Sequence, residues 1–461
     1  MFNFIFLISN FFLISFISFL TSDILNFNIS NAEFLIISIF LAIVIFSILK
    51  LNFFENIKNY IIITIFISIF IGTLIENNKQ NIVYFWIKNS LDEIKSSRYG
   101  FEILKIKWML QGYPLKLFDT SEKYIRDNIK INNHNNKILL NLDYSDPYII
   151  NKNGDLIKIP MNTNNGGIIH FNKNEFIFYS NYNGKQIGKY SLSNDYNEVN
   201  EIWTLEGKYF FHHWGDVHNN NLYIPGRKFS NKRNKFFKAC KTNHFIEDVI
   251  HIIDYKNGSI TRTIDVSNKF INSSYNPKNC KNPLHLNDIR VIKSVKHKDF
   301  FKNYKVEIGD LLLSFKNINT IAVYSVKKDK VLWSYSNNGL VEQHSPRITD
   351  NGTILVFNNY GSDKFGFTRI DEIEIDRKKI VGIYDGSPTN HLNTASRGRI
   401  QLFKKEIYIQ ESTKSKVTKI KCMDKYISNT NCIEDVIIDF KDYRLQENGI
   451  FRSFVIELID Q

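Results

Sequence analysis

Cysteine and proline are scarce: the 461-residue chain holds four of the first and eight of the second. The cysteines stand at 240, 280, 422 and 432, so no CxxC pair exists and a zinc ribbon is excluded. Calcium loops of the DxDxDG kind are missing too. No helix-turn-helix, zinc-finger or RNA-platform signature accompanies the formal charge of +13. Its lysines and arginines are dispersed rather than gathered into arms, so nucleic acid is not an expected partner. Dispersed cations mostly solvate a surface; they also favour the approach of anionic substrates or anionic lipid.

Charge is absent from three stretches near the start. Phe2–Leu20, Phe34–Leu49 and Tyr60–Ile75 contain no charged residue and run 16 to 19 residues each. That length lies at the short end of what crosses a hydrocarbon core of ~30 Å. The first run lacks the basic start and small-residue cleavage site of a signal peptide, so residues 1–80 are expected to form three membrane helices. The loop 21–33 carries Asp23 and Glu33 and no lysine or arginine, whereas 50–59 carries Lys50 and Lys58. Lysine near helix ends favours the cytoplasmic side. The expected arrangement is a bacterial inner-membrane anchor with everything after residue 80 in the periplasm. One or two disulfides, Cys422–Cys432 and Cys240–Cys280, suit that oxidising compartment.

Residues 81–130 read as a linker with one short helix. From about residue 131 helical periodicity gives way to short runs of β-branched and aromatic residues, broken by Asn-Gly and Asp-Asn-Gly turns. "VIHIIDYKNGSITRTIDV" is a hairpin about Asn257-Gly258, and "HSPRITDNGTILVFNN" another about Asp350–Gly352. Units of about four strands recur every 45 to 70 residues or so. Six such units over 131–461 predict an all-β, six-bladed propeller, whose radial sheets leave only short protected edges.

In a propeller the innermost strand of each blade runs beside the central channel, so residues at the starts of those strands converge. Here the starts read His212-His213, His285, His344 and Ser396-Arg397. The ordered set "HHWGDV", "HLNDI…GDLLLSFKNINTIAVYSV", "EQHSPRITDNGTILVFNNYG" and "FRSFVIE" resembles the successive blades of the arylsulfotransferase family. The resemblance covers about 135–461 and leaves out the membrane part.

It implies transfer of a sulfuryl group from an aryl sulfate to a phenol, without a nucleotide donor and without a cofactor or metal. His344 of "EQHSPR" matches the family's nucleophile, which becomes transiently sulfated. His285 and one of His212 and His213 match two further active-site histidines. Neighbouring strand residues point to opposite faces, so only one of that last pair can face the channel. Where family members carry arginine, this chain has Lys316, which keeps the charge and loses the bidentate fork. Lys316, Arg347, Asn287 and Arg397 are the expected substrate-binding groups. The alternative is a non-catalytic propeller acting as a periplasmic binding or assembly platform, since a fold does not fix a function. Donor, acceptor and oligomeric state are not legible.

Overall fold

The structure is a computed structural model that describes residues 125–440 and 451–454 apart from short intervening segments. They lie in a compact unit spanning 95–461. The unit 1–94, and with it the three apolar runs, lies outside the described residues, as does most of the expected linker. Among the described residues no helix is long and apolar enough to cross a membrane.

Six antiparallel sheets form the blades. The first combines β2 (Ile138–Leu142), β3 (Tyr148–Ile150) and β4 (Leu156–Lys158) with an inner strand from the far end of the chain, β28 (Phe451–Phe454). The second is β5 (Gly166–Asn172), β6 (Glu175–Ser180), β7 (Gln186–Leu192) and β8 (Val199–Glu206). The third runs β10 (Asp216–His218), β11 (Asn221–Ser230), β12 (Phe245–Asp254) and β13 (Ile260–Asp265), with β9 (Phe210–Phe211) also paired to β11. The fourth is β14 (Leu286–Val291), β15 (Leu311–Phe315), β16 (Thr320–Ser325) and β17 (Lys330–Ser336). The fifth is β18 (His344–Ile348), β19 (Thr353–Asn358), β20 (Arg369–Glu374) and β21 (Lys379–Tyr384). The sixth, β24 (Arg399–Phe403), β25 (Glu406–Glu411), β26 (Lys416–Cys422) and β27 (Cys432–Phe440), gains β1 (Ile129–Ile131) on its outer edge. Both ends of the described chain thus close the ring.

The sequence explains why the sheets stand face to face. Side chains alternate across a strand, and here both faces are apolar. Leu222 and Ile224 pack with blade two, and Tyr223 between them packs with blade four. Ile354 and Val356 face blade four, while Leu355 and Phe357 face blade six. The buried core is therefore a set of seams between neighbouring blades. Strands covered on both sides read as unbroken runs: LLLSF in β15 and TIAVYS in β16 are buried throughout. Outer strands such as β17 and β21 have exposed positions.

The Asn257-Gly258 and Asp350–Gly352 turns sit between paired strands, with Gly258 and Gly352 at φ +77° and +78°, where a side chain would strain the backbone. Trp203 on β8 and Trp333 on β17 occupy corresponding outer positions. Each donates its indole N–H at 3.1 Å to the next blade, to Tyr255 O and Ile375 O. Both disulfides are formed. Cys240–Cys280 ties the β11–β12 connection of blade three to the segment leading into blade four, and Cys422–Cys432 joins directly opposed residues of β26 and β27.

Candidate active site

Blades three, four and five each deliver one histidine to the same end of the ring. His344 is the first residue of β18, and His285 immediately precedes β14. His213 lies three residues ahead of β10, in a bend. The Nε2 atoms of His213 and His285 are 3.0 Å apart, and the His213 and His344 rings are 6.4 Å apart between centroids. His213 and His344 line a small cavity of about 30 Å³ with Tyr179, Trp214, Arg399 and Gln410.

The backbone that places them is unusual. His213 and His285 have φ +57° and +54°, and Glu342 and Ser345 on either side of His344 have +56° and +55°. Residues other than glycine enter this region at a cost and stay there when their surroundings hold them. His285 is held on both sides: its N–H donates to Asp248 Oδ2 at 2.9 Å and its carbonyl accepts from Lys316 N at 3.1 Å. His344 is held through the buried Gln343, whose amide donates to Phe315 O and Thr320 O at 3.1 and 3.0 Å. Asn287, wholly buried at a bulge in β14, donates to Gln343 O at 2.8 Å. Asn287 thus ties the starts of two innermost strands together.

Hydrogen bonding assigns the ring protons. The Asn359 amide nitrogen donates to Thr394 O at 2.8 Å, which leaves Asn359 Oδ1 to accept from His344 Nδ1 at 2.7 Å. The Nε2 of His344 then carries the lone pair. His285 Nδ1 receives Asn282 Nδ2 at 2.7 Å, and Arg227 Nη2 lies 3.3 Å from it. Arg227 Nη2 also lies 3.4 Å from Nε2, so it is the Asn282 amide that makes His285 Nδ1 an acceptor and leaves its Nε2–H to face His213.

All these rings are neutral near pH 7. Burial holds His344 down at about 4, with the Lys316 charge adding to the effect. Burial, then the Arg227 guanidinium and Lys316, keep His285 well below the ordinary histidine value. Burial and the neighbouring rings do the same for His213. The arrangement supplies an uncharged nitrogen nucleophile, a proton-sharing imidazole pair and nearby fixed cations.

Of the adjacent pair, His213 has a ring nitrogen within hydrogen-bond distance of His285 and lines the cavity, while the His212 ring packs behind it, 4.8 Å from His213 and 6.3 Å from His285 between centroids. His212 turns to Asp248, with Nε2 3.6 Å from Oδ1. Strand alternation is not what separates them, because His213 lies in a left-handed bend rather than a strand. Lys316 sits one residue past β15 in a short 3-10 turn, and its ammonium pairs with Glu342 at 3.0 Å. Arg347 is not brought to the histidines. It lies toward the other end of β18, on a different cavity, with Nη1 3.2 Å from Asp288 Oδ2. Arg397 lies outside the described residues.

Sequence reasoning missed Asp248, Asn282 and Asn359. One signal for Asp248 was present: an acid inside "FIEDVIHIID", a strand otherwise buried almost end to end. Burial pushes Asp248 up to about 6, with Arg227 opposing the rise. Among the described residues no group of three or more His, Cys, Asp or Glu side chains is arranged to hold a metal ion.

Solved structures with related coordinates include a protein of unknown function from Bacteroides caccae, 13% identical, covering 67% of this chain and 100% of its own, with a TM-score of 0.40. Sqt1 of Saccharomyces cerevisiae is 10% identical over 69% of this chain and 81% of its own, with a TM-score of 0.38. Hsv2 of Kluyvelomyces marxianus is 11% identical over 68% and 98%, with a TM-score of 0.37. No curated protein matches the chain significantly. The arylsulfotransferase (ASST) family matches residues 160–430, a span that holds all three clustered histidines and more than half of the sequence. This chain belongs to the arylsulfotransferase family.

Proposed function

We propose that this protein is a membrane-anchored, nucleotide-independent sulfotransferase that moves a sulfuryl group from an aryl sulfate to a phenol through a sulfated His344. The observation that carries the reading is the Asn359–His344 hydrogen bond of 2.7 Å, which leaves Nε2 as the nucleophilic nitrogen of a ring kept uncharged by burial. In the first half-reaction Nε2 forms a bond to sulfur while the S–O(aryl) bond breaks and the phenolate departs. In the second, the acceptor phenol oxygen bonds to sulfur, the N–S bond breaks, and the phenolic proton passes to the His213–His285 pair and on to solvent. Splitting one displacement in two lowers each barrier. The ammonium of Lys316 and the guanidinium of Arg227 are the fixed charges for the sulfuryl oxygens.

The three uncharged runs before residue 76 support the anchor, and the lysines of the second loop support an outward-facing, periplasmic propeller. The test uses the full chain in detergent micelles with a fluorogenic aryl sulfate and phenol. Turnover is expected to vanish in His344→Ala and to persist in His391→Ala, an exposed histidine. Mass spectrometry after exposure to donor alone should find the sulfuryl adduct on the His344 peptide. No turnover with any of a broad donor panel, and no adduct, would overturn the reading in favour of a binding platform.

A further inference from the structure

The channel has a second, larger cavity at the other end of the innermost strands. It measures about 780 Å³, within the range of sites that hold small organic molecules. His344 begins β18 and Arg347 lies three residues on; at the rise of a strand the two are separated by roughly 10 Å. Arg399 lines both cavities and stacks on the Trp214 ring at 4.5 Å, so this pair stands between them.

The floor of the larger cavity has more positive than negative charge. Asp288, fully buried, is shared by two guanidiniums: Arg290 Nε lies 2.9 Å from Oδ1 and Arg347 Nη1 3.2 Å from Oδ2. Asp216 is matched by Lys293 Nζ at 2.7 Å and also accepts Val291 N. With Arg399, four cations face two carboxylates. His170, beside them, is kept neutral by burial. The Nη2 atoms of Arg290 and Arg347 are shielded from solvent, so the side-chain surface that remains open, 18% and 11%, is what the two arginines present to the cavity.

The outer wall carries four acids and Lys425, and each acid is held by a donor of its own, away from the arginine pair. Glu372 takes Ile427 N at 2.7 Å, Glu406 the Tyr408 hydroxyl at 3.0 Å, Asp424 the Asn431 amide at 3.2 Å and Asp350 Lys296 at 3.1 Å. The rest of the wall is largely apolar, with Phe171, Leu312, Leu355 and Leu402.

We infer that this cavity is a separate binding site for an aryl oxyanion, whose charged head lies on the Arg290–Arg347 pair and whose ring lies on the apolar wall. Two guanidiniums sharing one carboxylate retain donors for a second oxyanion, and the fork geometry of arginine suits sulfate and carboxylate alike. The inference is independent of sulfuryl transfer, because none of its residues belongs to the histidine cluster.

The test is calorimetric titration of the full chain in detergent, in the His344→Ala background, with phenyl sulfate, benzoate and inorganic sulfate as probes. Phenyl sulfate should bind, and Arg347→Gln and Arg290→Gln should each weaken it by about tenfold or more. Lys327→Gln, a highly exposed lysine that lines neither cavity, should leave that binding unchanged. Leu402→Trp, which fills the wall without touching the charges, should weaken phenyl sulfate and spare inorganic sulfate. Comparison of the phenyl sulfate and benzoate isotherms tells which head the arginine pair prefers. The inference fails if neither arginine variant alters phenyl sulfate binding, or if inorganic sulfate binds as tightly as phenyl sulfate and Leu402→Trp changes neither. Should an arginine variant not fold, the Leu402→Trp result decides.

Discussion

Replacing Asp248 separates its two roles, a hydrogen-bond acceptor for the His285 backbone and a buried charge beside Arg227. Asp248→Asn keeps an oxygen for the His285 N–H, now 2.9 Å from Oδ2, and removes the charge. Asp248→Ala removes both, and loss of one partner of a buried charge pair costs about 3–5 kcal/mol. The Asn variant has a further signature in pH. The Asp248 carboxyl ionises at 3.8 when free and at about 6 in the fold. Between those values the folded state holds a proton that the unfolded state has lost, so the native acid contributes stability at low pH and loses it as pH rises through 6. Each pH unit of that window is worth about 1.4 kcal/mol. The stability of Asp248→Asn relative to the native chain should therefore improve by about 1.4 kcal/mol from pH 5 to pH 7. Denaturant midpoints of the full chain in detergent, followed by tryptophan fluorescence at both pH values, measure it. An Ala variant as stable as the Asn variant, or a difference that does not move with pH, would refute the account of Asp248.

The other expectations concern the histidines and Lys316. With His344 at about 4, kcat/KM for sulfuryl transfer should be flat from pH 7 to pH 5, where an unperturbed histidine would lose half its activity near 6.5; a pH–rate profile decides. Asn359→Leu should lower kcat by about tenfold to a hundredfold with KM little changed, as expected when a partner that fixes a ring's orientation is lost, and Asn359→Asp should recover part of it. His170, His251 and His344, each held at about 4 in the fold against 6.5 when free, contribute stability that is full above pH 6.5 and falls as pH drops toward 4. His212, His213 and His285 act in the same direction, while Asp248 and Asp371, raised to about 6, oppose them. The melting temperature should decline across that window. Lys316→Arg, which restores the family residue, should raise kcat/KM for an aryl sulfate in the fluorogenic assay.

Much of the fold was legible because a blade announces itself through turn residues and runs of β-branched side chains. The closure was not. β1 is three residues long and β28 four, too short to show a period, and each pairs with a strand distant in sequence. Recurrence at strand starts was enough to single out His285 and His344. The choice of His213 over His212 was hidden, since left-handed backbone at a histidine leaves no mark in the sequence. Arg347 was expected among the substrate-binding groups, yet three steps along a strand from His344 carry its side chain to another depth of the channel. Partners such as Asp248 and Asn359 become visible only when blades are set side by side.

Ring closure depends on residues gathered from both extremes of the described chain, whereas the clustered histidines sit on three consecutive blades within 212–359. A chain emerging from a ribosome therefore exposes the whole histidine-bearing half-circle before its last inner strand exists. Until β28 docks on β2, Leu139 and Asn141 have no inner neighbour, and that open edge is where a nascent molecule is most prone to pair with a stranger.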